Sequence, residues 1–182
     1  DHKSVFFGLQ AFIIDVLIAQ WNQFFFSRPK TEVIAEIDRL FNGYLGGVKS
    51  THFAELHDLG YLPVEIKSIP EGSLVPVKVP YLTIQNTDDR FQWITNYLET
   101  IISSELWKVI TVATVGREFR RLSNHWAIET TGSVAGTEFQ NHDFSFRGQA
   151  NWHSAASLGA AFLLSSNGTD NIPAIPWLEH YY

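Results

Sequence analysis

The chain has 182 residues, of which 45% are apolar and 18% are charged, and its formal net charge is −6 at pH 7. This composition is typical of a soluble globular protein and allows one domain, or one domain and part of another. The negative charge and the lack of a basic stripe argue against a nucleic-acid surface. Because cysteine is absent, disulfides and thiolate metal sites are excluded, which fits a cytosolic enzyme.

The first part of the chain predicts two amphipathic helices. Apolar residues recur at three- and four-residue steps over residues 5–21, and again over 33–44 after Pro29, which suits a helix start. The first stretch is interrupted by Asp15 and is too short to cross a bilayer. For the three phenylalanines 24–26 we expect burial in the core; the alternatives are an exposed patch for a partner or a dimer interface.

The next segment changes from helical to strand periodicity. A short helix is predicted to be capped by Thr51 and to end at Gly60. Apolar residues then alternate with polar residues and prolines over 62–67, 75–80 and 82–84, which predicts strands with one buried face. The prolines place the middle strand at a sheet edge or a bulge.

A helical region is predicted to follow these strands. Asp88 or Asp89 is expected to cap a helix. Residues 106–115 are rich in β-branched side chains yet lead into the helix-like stretch 117–126, so the residues alone leave the state of 106–115 open. We place a domain change near residue 101.

The last third of the chain predicts alternating strands and helices. After a loop over 130–137, we expect a strand at 141–146, a helix at 155–160, a strand at 161–165 and a final helix at 175–182. This alternation is typical of βαβ units in an α/β protein.

The candidate site is the pair of predicted strand ends, which carry Phe144 with Arg147 and, further on, Asp170. Ligand sites lie at the carboxyl edge of parallel sheets and barrels. An aromatic face beside a planar cation suits an aromatic heterocycle or an anion. The alternative interpretation is an ordinary ion pair between Arg147 and Asp170, with Phe144 in the core. Sequence motifs for a phosphate loop, a serine nucleophile elbow or a zinc helix are absent.

The same residues carry a resemblance to a known family. His-Asp-Phe-Ser-Phe-Arg-Gly at 142–148, followed by Gly-Thr-Asp at 168–170, resembles the nicotinamide phosphoribosyltransferases, which join nicotinamide to phosphoribosyl diphosphate. Ser145 and Phe146 stand where animal members commonly have glycine and tyrosine, and neither change removes a proposed contact. The likeness also covers residues 5–10, 62–67, 70–72, 86–88, 95–100, 110–114 and 181–182.

The resemblance implies a fold and an organisation. It implies an α/β protein in which residues 1–100 form an α+β domain with helices and a small, mostly antiparallel sheet. Residues 101–182 would then open an irregular β/α barrel like that of type II phosphoribosyltransferases and carry the ligand pocket. It favours a helix at 106–115, and it implies that the chain is the N-terminal part of a longer enzyme.

Roles for the three candidate residues follow from the resemblance. Phe144 matches the residue that stacks on the nicotinamide ring, and Asp170 matches the one that accepts a hydrogen bond from the carboxamide NH2. Arg147 matches a residue oriented to the ligand's carbonyl or phosphate side. Because the nicotinate carboxylate would be repelled by Asp170, the amide is the expected substrate.

The resemblance also implies groups outside these residues. The catalytic histidine and most phosphate-binding residues are expected beyond Tyr182, and a stacking tyrosine of the partner subunit before Asp1, so no catalytic residue is expected here. A homodimer would complete the site, and Mg2+ would accompany phosphoribosyl diphosphate. The 182 residues alone are expected to be inactive, as part of a cytoplasmic enzyme of NAD salvage.

Three alternatives stay open at this point. The nearest is a nicotinate phosphoribosyltransferase, which Asp170 disfavours. A non-catalytic binding or signalling module could keep the same fold, and sequence downstream of Tyr182 would distinguish it from an enzyme. A structural fragment without a ligand is the third, and calorimetric titration with nicotinamide could reject it.

Overall fold

The computed structural model describes residues 2–182, and its mixture of helices and short strands confirms the α/β class. The helices are α1 (Leu9–Phe12, continued by π-helical turns at Ile13–Gln20 and Asn22–Phe26), α2 (Lys30–Tyr44), α3 (Thr51–Leu59), α4 (Ile94–Thr131), α5 (Trp152–Leu163) and α6 (Ala174–Tyr181). The strands are β1 (Lys3–Val5), β2 (Val64–Ser68), β3 (Leu74–Pro76), β4 (Leu82–Asn86), β5 (His142–Asp143) and β6 (Gly168–Thr169).

The chain forms two compact units, each made of discontinuous segments. Unit 1 consists of the residues up to Gln10 together with Ser68–Thr83 and Ile101–Tyr182. Unit 2 consists of Ala11–Lys67 and Ile84–Thr100. The chain therefore passes between the units several times, and α4 contributes residues to both.

Aromatic side chains dominate the core of unit 2. Phe25 and Phe53 are buried, with ring centroids 6.3 Å apart. The predicted core position is confirmed for Phe25, whereas Phe26 is half-buried and Phe24 is 58% exposed, so the prediction is wrong for Phe24. The helix predicted to end at Gly60 is confirmed, and Gly60 has the positive φ of +83° that ends helices.

The segment before α1 corrects one prediction. The helix expected from residue 5 begins only at Leu9, because Val5 pairs with Leu74 in the antiparallel ladder of β1 and β3. The carboxylate of Glu71 accepts the backbone N–H groups of Gly8 at 2.6 Å and Gln10 at 2.7 Å. Glu71 therefore satisfies free N–H groups at the start of the helix.

Helix α4 settles the state of residues 106–115, which are helical throughout. Leu106, Val109 and Ala113 are buried and recur at three- and four-residue steps, as on one face of a helix. Within unit 1, Val109 and Ala113 belong to a core cluster with Val5, Phe7, Leu158, Ala160, Ala161 and Ala174. Burial of this face outweighs the β-branched composition of the segment.

In the last part of the chain, strands and helices alternate as predicted, but the strands have different bounds. The strand expected at 141–146 is only His142–Asp143, and the strand expected at 161–165 is wrong because α5 continues to Leu163. Helix α5 persists because its alanines at 155, 156, 160 and 161 are buried at helical spacing. The second strand lies instead at Gly168–Thr169, and the final helix is confirmed as α6.

One helical stretch, Leu9–Phe26, is apolar enough by composition to cross a membrane, with a mean hydropathy of 1.2 over 18 residues. About a third of it is buried, and core helices of soluble proteins meet the same criterion. A single stretch of this kind is weak evidence for a membrane span.

Candidate functional site

The candidate site lies in unit 1 at the carboxyl ends of two parallel strands. His142 stands opposite Gly168 and Asp143 stands opposite Thr169 in the ladder of β5 and β6. The backbone N–H of Asp170 donates to the carbonyl of Asp143 at 2.9 Å. The residues that follow the two strands therefore emerge side by side at one edge.

The buried carboxylate of Asp143 ends β5. Its Oδ1 accepts the backbone N–H of Ser145 at 2.8 Å, and the chain then turns into the 3-10 helix Ser145–Gly148. Its Oδ2 accepts Nδ2 of Asn171 at 3.2 Å. Both carboxylate oxygens thus have a donor, as a buried charge requires. The strand predicted at 141–146 therefore ends at Asp143.

Asn171 links three elements at this edge. Its side chain is fully buried, and Nδ2 also donates to the carbonyl of Ala155 in α5 at 2.7 Å. Its backbone N–H donates to Oγ1 of Thr169 at 2.9 Å. Sequence reasoning missed Asn171, because an asparagine after a strand is equally typical of an exposed turn.

The structure brings Phe144 and Asp170 to one imidazole. Nε2 of His142 lies 2.9 Å from Oδ1 of Asp170, and the rings of His142 and Phe144 have centroids 4.7 Å apart. Phe144 is 61% exposed, and the Asp170 side chain is 59% exposed. Two predicted residues therefore share one open surface, and His142 joins them there.

Arg147 does not form the ion pair of the alternative interpretation. It lies exposed on the 3-10 helix after β5, and within residues 2–182 the ion-pair partner of Asp170 is His142. The exposure of Phe144 also excludes a place in the core. The interpretation of these three residues as an ordinary structural pair over a core phenylalanine is therefore wrong.

A separate groove of about 590 Å3 lies elsewhere in unit 1. It is lined mainly by apolar side chains of α4, among them Leu106, Trp107 and Ile110, together with Tyr81. Several hydroxyl groups in its lining are already bonded within the chain: Ser4 bonds to Tyr81, and Thr111 and Thr114 donate to carbonyls of α4. We therefore place the candidate site at the ends of β5 and β6.

The residues present do not form a metal cage. Among residues 2–182, no group of three or more His, Asp or Glu side chains could hold a metal ion. The resemblance implies Mg2+ that accompanies the diphosphate of the substrate, which requires no such cage in these residues.

The fold is that of an α/β protein, and its candidate site lies at the carboxyl ends of two parallel strands. Comparison with known proteins then gives the family. The chain is 46% identical to a nicotinamide phosphoribosyltransferase of Acinetobacter baylyi, over 100% of this chain and 36% of that protein. It is 30% identical to one of Xanthomonas campestris, over 99% of this chain and 37% of that protein.

A third relative, the nicotinamide phosphoribosyltransferase of Mycoplasma genitalium, is 32% identical over 61% of this chain and 25% of its own length. No model of a protein family matches the chain. The chain belongs to the nicotinamide phosphoribosyltransferase family, and it spans about a third of the length of the curated relatives it matches over its whole length.

Proposed function

We propose that the protein containing this chain condenses nicotinamide with phosphoribosyl diphosphate, forming nicotinamide mononucleotide and diphosphate for NAD salvage. The observation that carries the proposal is the meeting of Phe144 and Asp170 at His142. An exposed aromatic ring and an exposed carboxylate at the same strand ends are what a flat heterocyclic amide needs for binding. The names of the relatives support the same substrate.

The reaction requires little acid–base chemistry from this site. The lone pair of the pyridine nitrogen forms a bond to the anomeric carbon of the ribose. The bond from that carbon to the diphosphate oxygen breaks, and diphosphate leaves with the electron pair. Because the nucleophile is already free, these residues act mainly by orienting the ring toward the anomeric carbon.

Each candidate residue has a part in that orientation. Phe144 is 61% exposed and offers its face to the pyridine ring. Oδ1 of Asp170 binds His142, while Oδ2 has no hydrogen-bond partner among residues 2–182 and can accept the carboxamide NH2. The guanidinium of Arg147 would face the carbonyl or phosphate side of the ligand.

Asp170 also accounts for a preference for the amide over the acid. A carboxylate accepts a hydrogen bond from an NH2 group, whereas the carboxylate of nicotinate has no proton to donate and carries the same charge. The nicotinate-using alternative would therefore leave Asp170 facing a like charge. Comparison of the two bases distinguishes the two functions.

The proposal includes a homodimer, Mg2+ and a cytoplasmic location. Phe144 is 61% exposed, so an aromatic ring from a partner subunit could reach it. Because no group of three or more possible metal ligands occurs among residues 2–182, Mg2+ would be held through the diphosphate. The absence of cysteine fits the cytoplasm.

Asp170→Asn in the full-length protein tests the proposed function. A hydrogen bond to a charged acceptor contributes about 1.5–3 kcal/mol, so the ratio of kcat/KM for nicotinamide to that for nicotinate should fall about 10-fold to 100-fold. Steady-state kinetics with both bases measures this ratio. Asp89→Asn, at an exposed aspartate of unit 2, is the matched control and should leave the ratio unchanged. An unchanged ratio in Asp170→Asn would contradict the proposed role.

A further inference from the structure

The imidazole of His142 contacts both side chains of the proposed base site. A carboxylate can only accept hydrogen bonds, so the 2.9 Å contact requires a proton on Nε2 that is donated to Oδ1 of Asp170. The same imidazole also lies against the ring of Phe144, with the ring centroids 4.7 Å apart and the ring planes inclined by 41°. His142 therefore limits the positions of both the aromatic ring and the carboxylate.

Gly168 makes this arrangement possible. It stands opposite His142 in the parallel ladder, and its backbone lies against the imidazole. A Cβ atom at position 168 would lie 2.6 Å from Nδ1 of His142 and 3.4 Å from Cε1. Real Cβ atoms do not come this close to ring atoms, so any side chain at 168 would displace the imidazole.

The pair of His142 and Asp170 is too exposed to matter mainly for stability. The side chains are 37% and 59% exposed, and polar contacts this open to solvent contribute little to folding. The contact instead fixes the orientation of the Asp170 carboxylate. Because Nε2 of His142 binds Oδ1, Oδ2 is the oxygen that can accept a hydrogen bond from a ligand. Orientation of this kind matters for binding more than for folding.

We propose that His142, seated against Gly168, is a positioning residue that sets amide specificity by orienting the carboxylate of Asp170 and supporting Phe144. The proposal rests on the proposed function, because it assigns how the same base site is held in shape. His142 itself touches neither the reacting nitrogen nor the anomeric carbon in this scheme. It acts through Asp170 and Phe144.

Two substitutions of His142 in the full-length protein separate its two contacts. His142→Gln keeps an N–H donor and removes the ring, whereas His142→Phe keeps a ring and removes the donor. We expect His142→Phe to lower the amide-to-acid ratio of kcat/KM about threefold to tenfold, through a higher KM for nicotinamide. His142→Gln should keep most of the wild-type ratio, because it still has an N–H donor. The exposed His125 of α4 provides the matched control, and His125→Phe should leave the ratio unchanged.

Gly168→Ala provides an independent test of the contact between the imidazole of His142 and Gly168. It should lower the ratio as His142→Phe does, because the new Cβ displaces the imidazole. In a His142→Ala background, which removes that imidazole, Gly168→Ala should have little further effect, so the two changes should be strongly non-additive. The ratio compares two substrates on one preparation, so partial unfolding scales both rates and leaves it unaltered.

The outcomes distinguish this inference from the proposed function. If Asp170→Asn lowers the ratio while His142→Phe and Gly168→Ala do not, the proposed function stands and the positioning role is overturned. Additive effects of Gly168→Ala and His142→Ala would likewise overturn the inference that Gly168 acts through the imidazole of His142. If Asp170→Asn leaves the ratio unchanged, the role of Asp170 in the proposed function fails.

Discussion

At the scale of single residues, the buried Asn171 holds the edge on which the site is built. Its Nδ2 donates to Oδ2 of Asp143 and to the carbonyl of Ala155. Without this amide, the backbone N–H of Ser145 would be the one donor left, among the described residues, to the side chain of the buried Asp143. A buried acceptor that loses its donor carries the full cost of its desolvation.

Asn171→Ala should therefore lower the free energy of unfolding by about 1–3 kcal/mol, because it removes two hydrogen bonds and leaves Asp143 with fewer donors. Chemical denaturation followed by circular dichroism measures the change. Asn167→Ala is the matched control, since that side chain is exposed and only the backbone N–H of Asn167 bonds to Glu138. Equal effects of the two substitutions would contradict this account.

At the scale of secondary-structure elements, helix α5 determines how closely the C-terminal segment can pack. Oδ1 of Asn151 accepts the backbone N–H of Ser154 at 2.9 Å and caps the helix. Gly159 lies inside the helix, where glycine costs about 1 kcal/mol relative to alanine. Its Cβ would lie 2.4 Å from Nδ2 of Asn171 and 2.9 Å from Cβ of Ala174. Close approach of α5 to α6 therefore outweighs helix propensity at this position.

Gly159→Ala should lower the free energy of unfolding by about 1–3 kcal/mol, since overpacking outweighs the gain in helix propensity. Gly43→Ala is the matched control: Gly43 lies in α2, and a Cβ there would meet no atom within 4 Å. That change should be neutral or stabilising. Denaturant titration of both variants measures the difference, and a stabilising Gly159→Ala would show that the contact is loose.

At the scale of the whole molecule, unit 2 contains a histidine that makes the stability of the fold depend on pH. In unit 2, the ring of His52 packs against Phe53 at 4.6 Å and Trp93 at 4.7 Å between centroids. Burial lowers the pKa of His52 below its ordinary value of 6.5, and the charge of Glu55 partly opposes that shift. The unfolded chain therefore binds a proton at higher pH than the folded chain does.

The free energy of unfolding should consequently fall as the pH drops below about 6.5, where the unfolded state becomes protonated first. The loss should stop growing below the lowered pKa of His52, where both states are protonated. His52→Phe should flatten the dependence between about pH 7 and the lowered pKa. Denaturation midpoints across this range measure it, with the exposed His125→Phe as control. An unchanged slope in His52→Phe would assign the pH dependence to other groups.

What the sequence by itself determined is local or inherited. Apolar periodicity predicted α2, because burial of one helix face leaves a repeating pattern along the chain, and Gly60 predicted where α3 ends. The motif around Phe144 and Asp170 identified the family, since shared ancestry preserves residue order and type. Neither source required knowledge of contacts between distant residues.

Only the tertiary structure decided the shape of the site. Residues 161–165 were predicted as a strand, and packing of Ala161 within the core of unit 1 keeps the chain helical to Leu163. His142 and Asp170 are separated by 28 positions, and their contact depends on the parallel register of β5 and β6. Register is set by the hydrogen bonds and packing of the folded chain, so no pattern along one strand reveals which residue faces it across the ladder.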